Sequence, residues 1–184
     1  MRAAMGEPDS PAMCVIARPV CSDDSATLAE LLCVLSAIAS VPLRQDIAVT
    51  GSDNQRGQVQ AIGAANERVE GFFDICRLLG LPSQQGVCLP YANLRHLVLR
   101  DDVNAAIAAG QFHIGPVASV DDAIELFTGL PAGAIAQADT FHSRVARRLQ
   151  EMSAALKKRY HAEHVTTVTD QTPSDPRPPL PGRP

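Results

Sequence analysis

One helical stretch near the start of the chain restricts the possible folds more than any other feature. Apolar residues recur at helical spacing from Asp24 to about Ser40, with almost nothing polar between them. They are Leu28, Leu31, Leu32, Leu35 and Ile38. We expect such a helix to be buried nearly all round, so other layers of structure must pack around it.

The start of this helix, in the stretch CSDDSATLAELL, carries two kinds of signal. Asp23, Asp24, Ser25 and Thr27 all suit N-cap chemistry, and Thr27-x-x-Glu30 matches a capping box. The same stretch is compatible with Ser25 as a nucleophile held at the end of the helix. These residues alone leave both interpretations open, although capped helices are far more common than nucleophilic serines.

Composition limits the class of protein. A length of 184 residues, 46% hydrophobic residues and a net charge of -4 predict one globular domain with tails. The mild acidity gives no general case for binding nucleic acid or membranes. Five cysteines without a C-x-x-C pair favour a reducing, cytoplasmic location. Since no apolar stretch reaches the roughly 20 residues of a membrane span and no signal peptide is evident, we expect neither membrane insertion nor secretion.

Strands and helices alternate in the sequence. The predicted strands are 13–20, 46–51, 58–63, 86–90 and 112–117. The predicted helices after the first are 65–79, 102–109 and 120–130, with a helical turn around NLRHLVL. This order predicts the α/β class for one domain over 13–130. The strands 46–51 and 58–63 are joined by SDNQRG and predict a hairpin, so we expect a mixed sheet with flanking helices.

Residues 131–160 predict a linker, PAGAIAQAD, and then a basic amphipathic helix from about Thr140 to Tyr160. Its apolar stripe is Val145, Leu149, Met152 and Leu156. Its basic residues are Arg144, Arg147, Arg148, Lys157, Lys158 and Arg159, against a single Glu151. This helix is suited to docking on the domain, on a partner protein or on a phosphate backbone. Disorder is expected for residues 1–12 and for the proline-rich tail 161–184.

The ordered motifs DDSATLAELL, LRQDIAVTGS, NQRG and ANERVEG closely resemble the proteolytic domain of the Lon family, particularly its B branch. In that family a serine in a G-D-S-A-like motif opens a buried helix, and an I-R-Q-D-L-A-V-T-G-S strand and a hairpin with N-Q-R-G follow. A G-G-V-N-E-K helix then supplies a lysine. The resemblance covers roughly residues 21–130 without an evident gap. It implies a Ser-Lys dyad endopeptidase that acts on unfolded or damaged proteins with the help of ATP.

The resemblance assigns a role to three positions. Ser25 corresponds to the nucleophile, and Thr50 corresponds to a threonine that orients the lysine. The lysine position is occupied by Arg68. A buried lysine can become a neutral amine and accept a proton, whereas arginine, with a pKa above about 12, stays protonated. Because loss of a general base costs about 10²- to 10⁴-fold, we expect an impaired or inactive peptidase.

Other positions also depart from the family pattern. Asp23 stands where the family has a glycine two residues before the nucleophile, and Gly63-Ala64 replaces the usual G-G. Since the family's domain begins with several strands upstream of the nucleophile, the resemblance predicts an N-terminally truncated domain. The sequence contains no G-x-x-x-x-G-K-[ST] motif. We therefore expect no cofactor in this chain, with the family's ATP bound by a separate module.

The resemblance implies a polypeptide substrate, homo-oligomers, and association with Lon-like subunits or a separate AAA+ ATPase. Two alternatives remain open. The first alternative to an impaired peptidase is a non-catalytic remnant that still associates with Lon-like subunits. The second is a protein that binds nucleic acid through its basic helix, although the overall charge of the chain disfavours nucleic acid. Two weaker signals are His161-x-x-His164, a metal-ligand spacing without a third ligand, and Cys21, a thiol without a histidine partner.

Overall fold

The computed structural model describes residues 24–80 and 84–168, with side chains as far as residue 160. Its helices and strands are α1 (Thr27–Ala39), β1 (Ile47–Val49), β2 (Ser52–Asp53), β3 (Val59–Gln60), α2 (Ala65–Leu78), β4 (Gly86–Pro90), α3 (Asp101–Ala108), β5 (His113–Val117), α4 (Val120–Thr128) and α5 (Phe141–Val168). Two 3-10 turns precede α1 and follow β4, at Asp24–Ala26 and Tyr91–His96. The predicted α/β class with flanking helices is confirmed.

Several predictions concern residues outside the described ranges. These are the disordered segment 1–12, the strand 13–20, Cys21, Asp23 and the tail beyond 168. The side chains of His161 and His164 also lie outside the description, although both residues belong to α5.

Three strands form a parallel sheet in the order β1-β4-β5. The strands β2 and β3 pair with each other in a separate antiparallel hairpin, with Ser52 opposite Gln60. The sequence predicted one mixed sheet, whereas the described strands form a parallel sheet and a separate antiparallel pair. The segment predicted as one hairpin arm at 46–51 pairs with β4 in register as far as Val49, and the Thr50 N–H still donates to the Cys88 carbonyl of β4 at 3.0 Å. The Thr50 hydroxyl and the Gly51 N–H both donate to the Ser25 carbonyl in the 3-10 turn before α1.

Strand β4 is buried at every position, as expected for the central strand of a parallel sheet covered on both faces. Its side chains point alternately into two hydrophobic cores, one on each face of the sheet. Cys88 belongs to a first core that is built mainly by α1, α4 and the start of α5, including Leu28, Leu32, Ile124, Phe127 and Phe141. Val87 and Leu89 belong to a second core built mainly by α2 and α3, including Val69, Phe73, Cys76, Val103 and Phe112.

Helix α1 is less enclosed than its sequence predicts. Leu28 and Leu32 are buried in the first core, but Glu30, Val34 and Ala37 are exposed, and Val34 retains 56% of its accessibility. Residues four and seven positions apart lie on one side of a helix, so these three form an open face. The packed neighbours β2 and α4 contact other sides of α1. The expectation of burial nearly all round is thus wrong over the described residues.

The start of the segment predicted as a linker and helix contributes to the first core. Ala132, Phe141 and Val145 are buried there, and Thr140 is buried as well. Helix α5 continues to Val168, which is beyond the predicted end at Tyr160 and inside the segment predicted as disordered.

Contacts divide the chain into two units, with the boundary after Ala146. In the second unit the apolar stripe and the basic residues of α5 are exposed as far as Tyr160. No helix among the residues that the structure describes is long and apolar enough to cross a membrane.

Candidate active site

Ser25 lies in the 3-10 turn that leads into α1, and it retains only 5% of its accessibility. The first residue of the helix is Thr27, whose hydroxyl donates to the Asp24 carbonyl at 3.0 Å and accepts from the Asp53 N–H at 3.1 Å. The residue before the helix makes no side-chain cap bond. The predicted capping box at Thr27 is therefore wrong, because its hydroxyl ties the turn to β2 instead of capping α1.

The chain that follows β1 holds the backbone of Ser25. The Ser25 carbonyl accepts from the Gly51 N–H at 2.9 Å and from the hydroxyl of the buried Thr50 at 3.3 Å. The Gly51 carbonyl in turn accepts from the Leu28 N–H at 3.2 Å. A Cβ atom at Gly51 would lie 3.0 Å from the Leu28 side chain, so a glycine allows this close approach. The role of Thr50 in orienting position 68 stays a prediction.

Arg68 reaches Ser25 from α2, across 43 residues of sequence. Its Nη2 atom lies 2.8 Å from Ser25 Oγ, and its side chain is half-buried. A guanidinium group has donors only, so the serine oxygen accepts this hydrogen bond. The structure therefore brings together Ser25, Thr50 and Arg68, the three residues that the sequence motifs single out.

Three α2 side chains, spaced one turn apart, anchor the helix to the loop that precedes α3. The bonds join Asn66 Oδ1 to the Val98 N–H (3.0 Å), Glu70 Oε1 to the Arg100 N–H (2.9 Å) and the Asp74 carboxylate to the Arg100 guanidinium (2.6 and 3.0 Å). Arg68 follows Asn66 by two residues, which is about 200° around an α-helix. It therefore extends from the side of α2 that is roughly opposite this anchor.

Two residues constrain the entry to α2. Ala64, at the N-cap, has φ 53° and ψ 35°, in the left-handed region that costs a non-glycine residue about 1–2 kcal/mol. The buried Asn93 accepts from the Ile62 N–H at 3.1 Å and donates to the Ile62 carbonyl at 2.9 Å. Sequence reasoning identified Ala64 through the family's G-G pattern. It missed Asn93, because nothing in YANLRH signals a backbone partner 31 residues away.

One carboxylate near the site has an oxygen without a hydrogen-bond partner. Asp53, next to the Ser25 turn in β2, has a buried Oδ1 atom with no hydrogen-bond partner. Leaving a buried acceptor unsatisfied costs about 1–3 kcal/mol.

Farther along α2, the Arg100 guanidinium lowers the pKa of Asp74 and that of Asp102. Both carboxylates are exposed, so these pairs contribute modestly.

Comparisons with known proteins decide the family. No protein-family model matches the chain. It is 42% identical over 131 residues to a Lon protease homolog from Escherichia coli (strain K12), covering 70% of this chain and 22% of that protein. A Lon protease homolog from Haemophilus influenzae is 45% identical over 106 residues, covering 58% of this chain and 18% of that protein. The chain belongs to the Lon protease family.

More distant relatives agree with this assignment. An archaeal Lon protease from Thermococcus kodakarensis is 33% identical over 103 residues, covering 56% of this chain and 14% of that protein. The predicted Lon resemblance is confirmed. The chain spans about a fifth of the length of the first two relatives, at 22% and 18%.

The arrangement in this Lon-family chain can stabilise negative charge but offers no proton acceptor at position 68. The Arg68 guanidinium and the N-terminal end of α1 both favour an anion near Ser25. Among the residues the structure describes, no group of three His, Cys, Asp or Glu side chains could hold a metal ion.

Proposed function

We propose that this chain is a Lon-type peptidase domain that binds polypeptide at Ser25 and hydrolyses it poorly or not at all. The observation that carries the proposal is the 2.8 Å contact between Arg68 Nη2 and Ser25 Oγ, which puts a permanent cation where a base is required. The names of the relatives, which are Lon proteases and Lon protease homologs, support polypeptide as the substrate class.

The step that fails is the first proton transfer. In the family reaction, Ser25 attacks a peptide carbonyl, backbone N–H groups near the start of α1 stabilise the oxyanion, and water hydrolyses the acyl-enzyme. Ser25 must lose its proton during the attack, and Arg68 has no lone pair to accept it. Loss of a residue that works as a unit with the nucleophile costs up to about 10⁶-fold in related serine peptidase chemistry.

The proposal also covers the cellular location, the cofactor and the partners of this chain. The chain acts in the cytoplasm, without a cofactor of its own, in a homo-oligomer or together with Lon-like subunits. Any unfolding of substrate is performed by an AAA+ ATPase module that binds ATP elsewhere. Co-purification with a full-length Lon-family protein, followed by mass spectrometry, tests this association.

Restoring a base tests the assignment of the site. Arg68→Lys should give hydrolysis of an unstructured fluorogenic peptide, and Ser25→Ala in the same background should abolish it. The wild type and Arg68→Met should both remain at the background rate, while circular dichroism confirms that each variant is folded. Wild-type hydrolysis that Ser25→Ala removes would contradict the proposal. A folded but inactive Arg68→Lys variant would show that the missing base is not the cause of inactivity.

A further inference from the structure

The exposed segment of α5, residues 147–160, presents large apolar side chains on one side of the helix. Every residue of this segment is exposed. Leu149, Met152 and Leu156 retain 48%, 46% and 64% of their accessibility. Their spacing of i, i+3 and i+7 places them within about 60° of one another around the helix. Apolar residues with this spacing are the anchors by which a helix docks in an apolar groove.

Basic residues lie at both ends of this apolar side. Two precede it and three follow it: Arg147, Arg148, Lys157, Lys158 and Arg159. Within the described part of the chain, Arg148 pairs with Glu151 at 3.0 Å, and the structure gives the other four cations no ion pair. Even with Glu163, the next acidic residue in the sequence, cations outnumber carboxylates five to two. The segment therefore carries excess positive charge beside its apolar anchors.

The positions of the cations around the helix select the kind of partner. At about 100° per residue, Arg147 and Lys158 lie roughly opposite Leu149. Arg148 and Lys157 lie about 80–100° from Leu149, one on each flank. A membrane surface or a nucleic acid duplex meets one side of a helix, so it would contact the anchors or the opposite cations but not both. A second copy of the segment would bring cations against cations, which is unfavourable.

A groove in another protein can meet both features at once. Its floor covers the apolar side of the helix, and carboxylates on its rims face the flanking cations. We propose that the exposed segment of α5 docks in an apolar groove with acidic rims on a partner protein. Leu149, Met152 and Leu156 are the anchors. This inference goes beyond the proposed function, because it involves neither Ser25 nor Arg68 and holds whether or not the chain hydrolyses peptide.

Calmodulin serves as the probe, because it is an acidic protein whose groove can be opened and closed. Calcium exposes its methionine-rich apolar groove, and removal of calcium closes it. Fluorescein-labelled calmodulin is titrated with the full chain and followed by fluorescence anisotropy. We expect a complex in calcium and none in EDTA, since only the open groove can take the anchors.

Variants of the full chain test each feature separately. Leu149→Gln and Leu156→Gln should each weaken the complex at least about tenfold, the size of one buried anchor. The double variant Lys157→Gln and Lys158→Gln should weaken it and reduce its dependence on salt. Leu78→Gln alters a leucine that is 85% exposed at the end of α2, so it should leave the affinity unchanged. Circular dichroism checks that each variant keeps its helix content.

Three outcomes would overturn the inference. The first is the absence of a calcium-dependent complex. The second is a complex that survives both leucine substitutions, because charge alone would then explain it. The third comes from the same variants measured with vesicles of phosphatidylcholine and phosphatidylserine and with a short DNA duplex. Tighter binding to vesicles that needs the leucines would make the segment a membrane anchor, and tighter binding to DNA that ignores them would make it a phosphate-binding helix.

Discussion

Position 68 carries a side chain that is charged but cannot act as a general base. Lysine and arginine are both cations in water, but only lysine becomes a neutral acceptor when burial lowers its pKa. In this structure the guanidinium reaches Ser25 Oγ at 2.8 Å, so it joins α2 to the serine. A guanidinium at this position can donate to the serine oxygen but cannot accept the serine proton.

Ala64 provides a stability prediction at the same scale. Its φ of 53° is strained for alanine but not for glycine, so Ala64→Gly should stabilise the protein by about 0.5–1 kcal/mol after the extra backbone entropy of glycine is subtracted. The measurement is the urea midpoint at unchanged m-value. Ala105→Gly is the control, because Ala105 is exposed within α3 and glycine should destabilise a helix there by about 1 kcal/mol. Loss of stability in both variants would contradict the left-handed conformation.

Residues differ in how far sequence alone could place them. Ser25, Thr50 and Arg68 could be singled out as candidates because each stands in a short motif with a family counterpart, and the structure brings them together. Asn93 and Asp53 were not found, because their significance lies in contacts or missing contacts with distant backbone. Local sequence reports the chemistry of a side chain, but it does not report which buried polar group will meet it.

At the scale of elements, periodicity predicted the helices well and the pairing of strands less well. The arms of the hairpin were misplaced because the first arm pairs with β4, and beyond Val49 the Thr50 hydroxyl and the Gly51 backbone bond with Ser25 and Leu28. The open face of α1 was missed for a related reason. The spacing of apolar residues shows which sides of a helix can be buried. Whether the side of α1 that carries Val34 is exposed depends on which other elements pack against the helix.

The anchor between α2 and α3 predicts sensitivity to acid. Arg100 lowers the pKa of Asp74 and of Asp102, so each carboxylate stabilises the fold above its unfolded pKa of about 3.9 and loses that contribution as pH falls through the lower folded value. Arg100→Gln should therefore be less stable than the wild type near neutral pH and should lose less stability between about pH 5 and pH 2. Melting temperatures across this range provide the measurement.

The control for this prediction is Arg148→Gln, since Arg148 pairs with Glu151 on the exposed part of α5. Its acid profile should match that of the wild type, because Asp74 and Asp102 keep Arg100. An unchanged profile in Arg100→Gln would show that these ion pairs do not stabilise the fold.

At the scale of the whole molecule, β4 couples the two cores. Its consecutive residues Val87, Cys88 and Leu89 alternate between them, and all three are buried. Neither core can lose its packing without exposing one side of this strand. The first core supports Ser25 through α1, and the second supports Arg68 through α2, so the distance between the two site residues depends on both cores being intact.

Two cysteines can report whether the cores open together. Cys88 lies in the first core and Cys76 in the second, and burial raises the pKa of Cys88 to about 12 and also raises the pKa of Cys76. Both thiols should resist alkylation until the fold opens. Leu28→Ala removes a buried side chain of the first core and should cost about 2–5 kcal/mol.

If β4 makes the cores one cooperative unit, Leu28→Ala accelerates pulsed alkylation of Cys88 and Cys76 by the same factor, at least about 30-fold when labelling follows the opening equilibrium. Mass spectrometry of the separated peptides measures each thiol in one sample. Val34→Ala, on the exposed face of α1, should leave both rates nearly unchanged. Acceleration at Cys88 alone would mean that the face carrying α1 opens while α2 stays packed, so that Ser25 could separate from Arg68 without global unfolding.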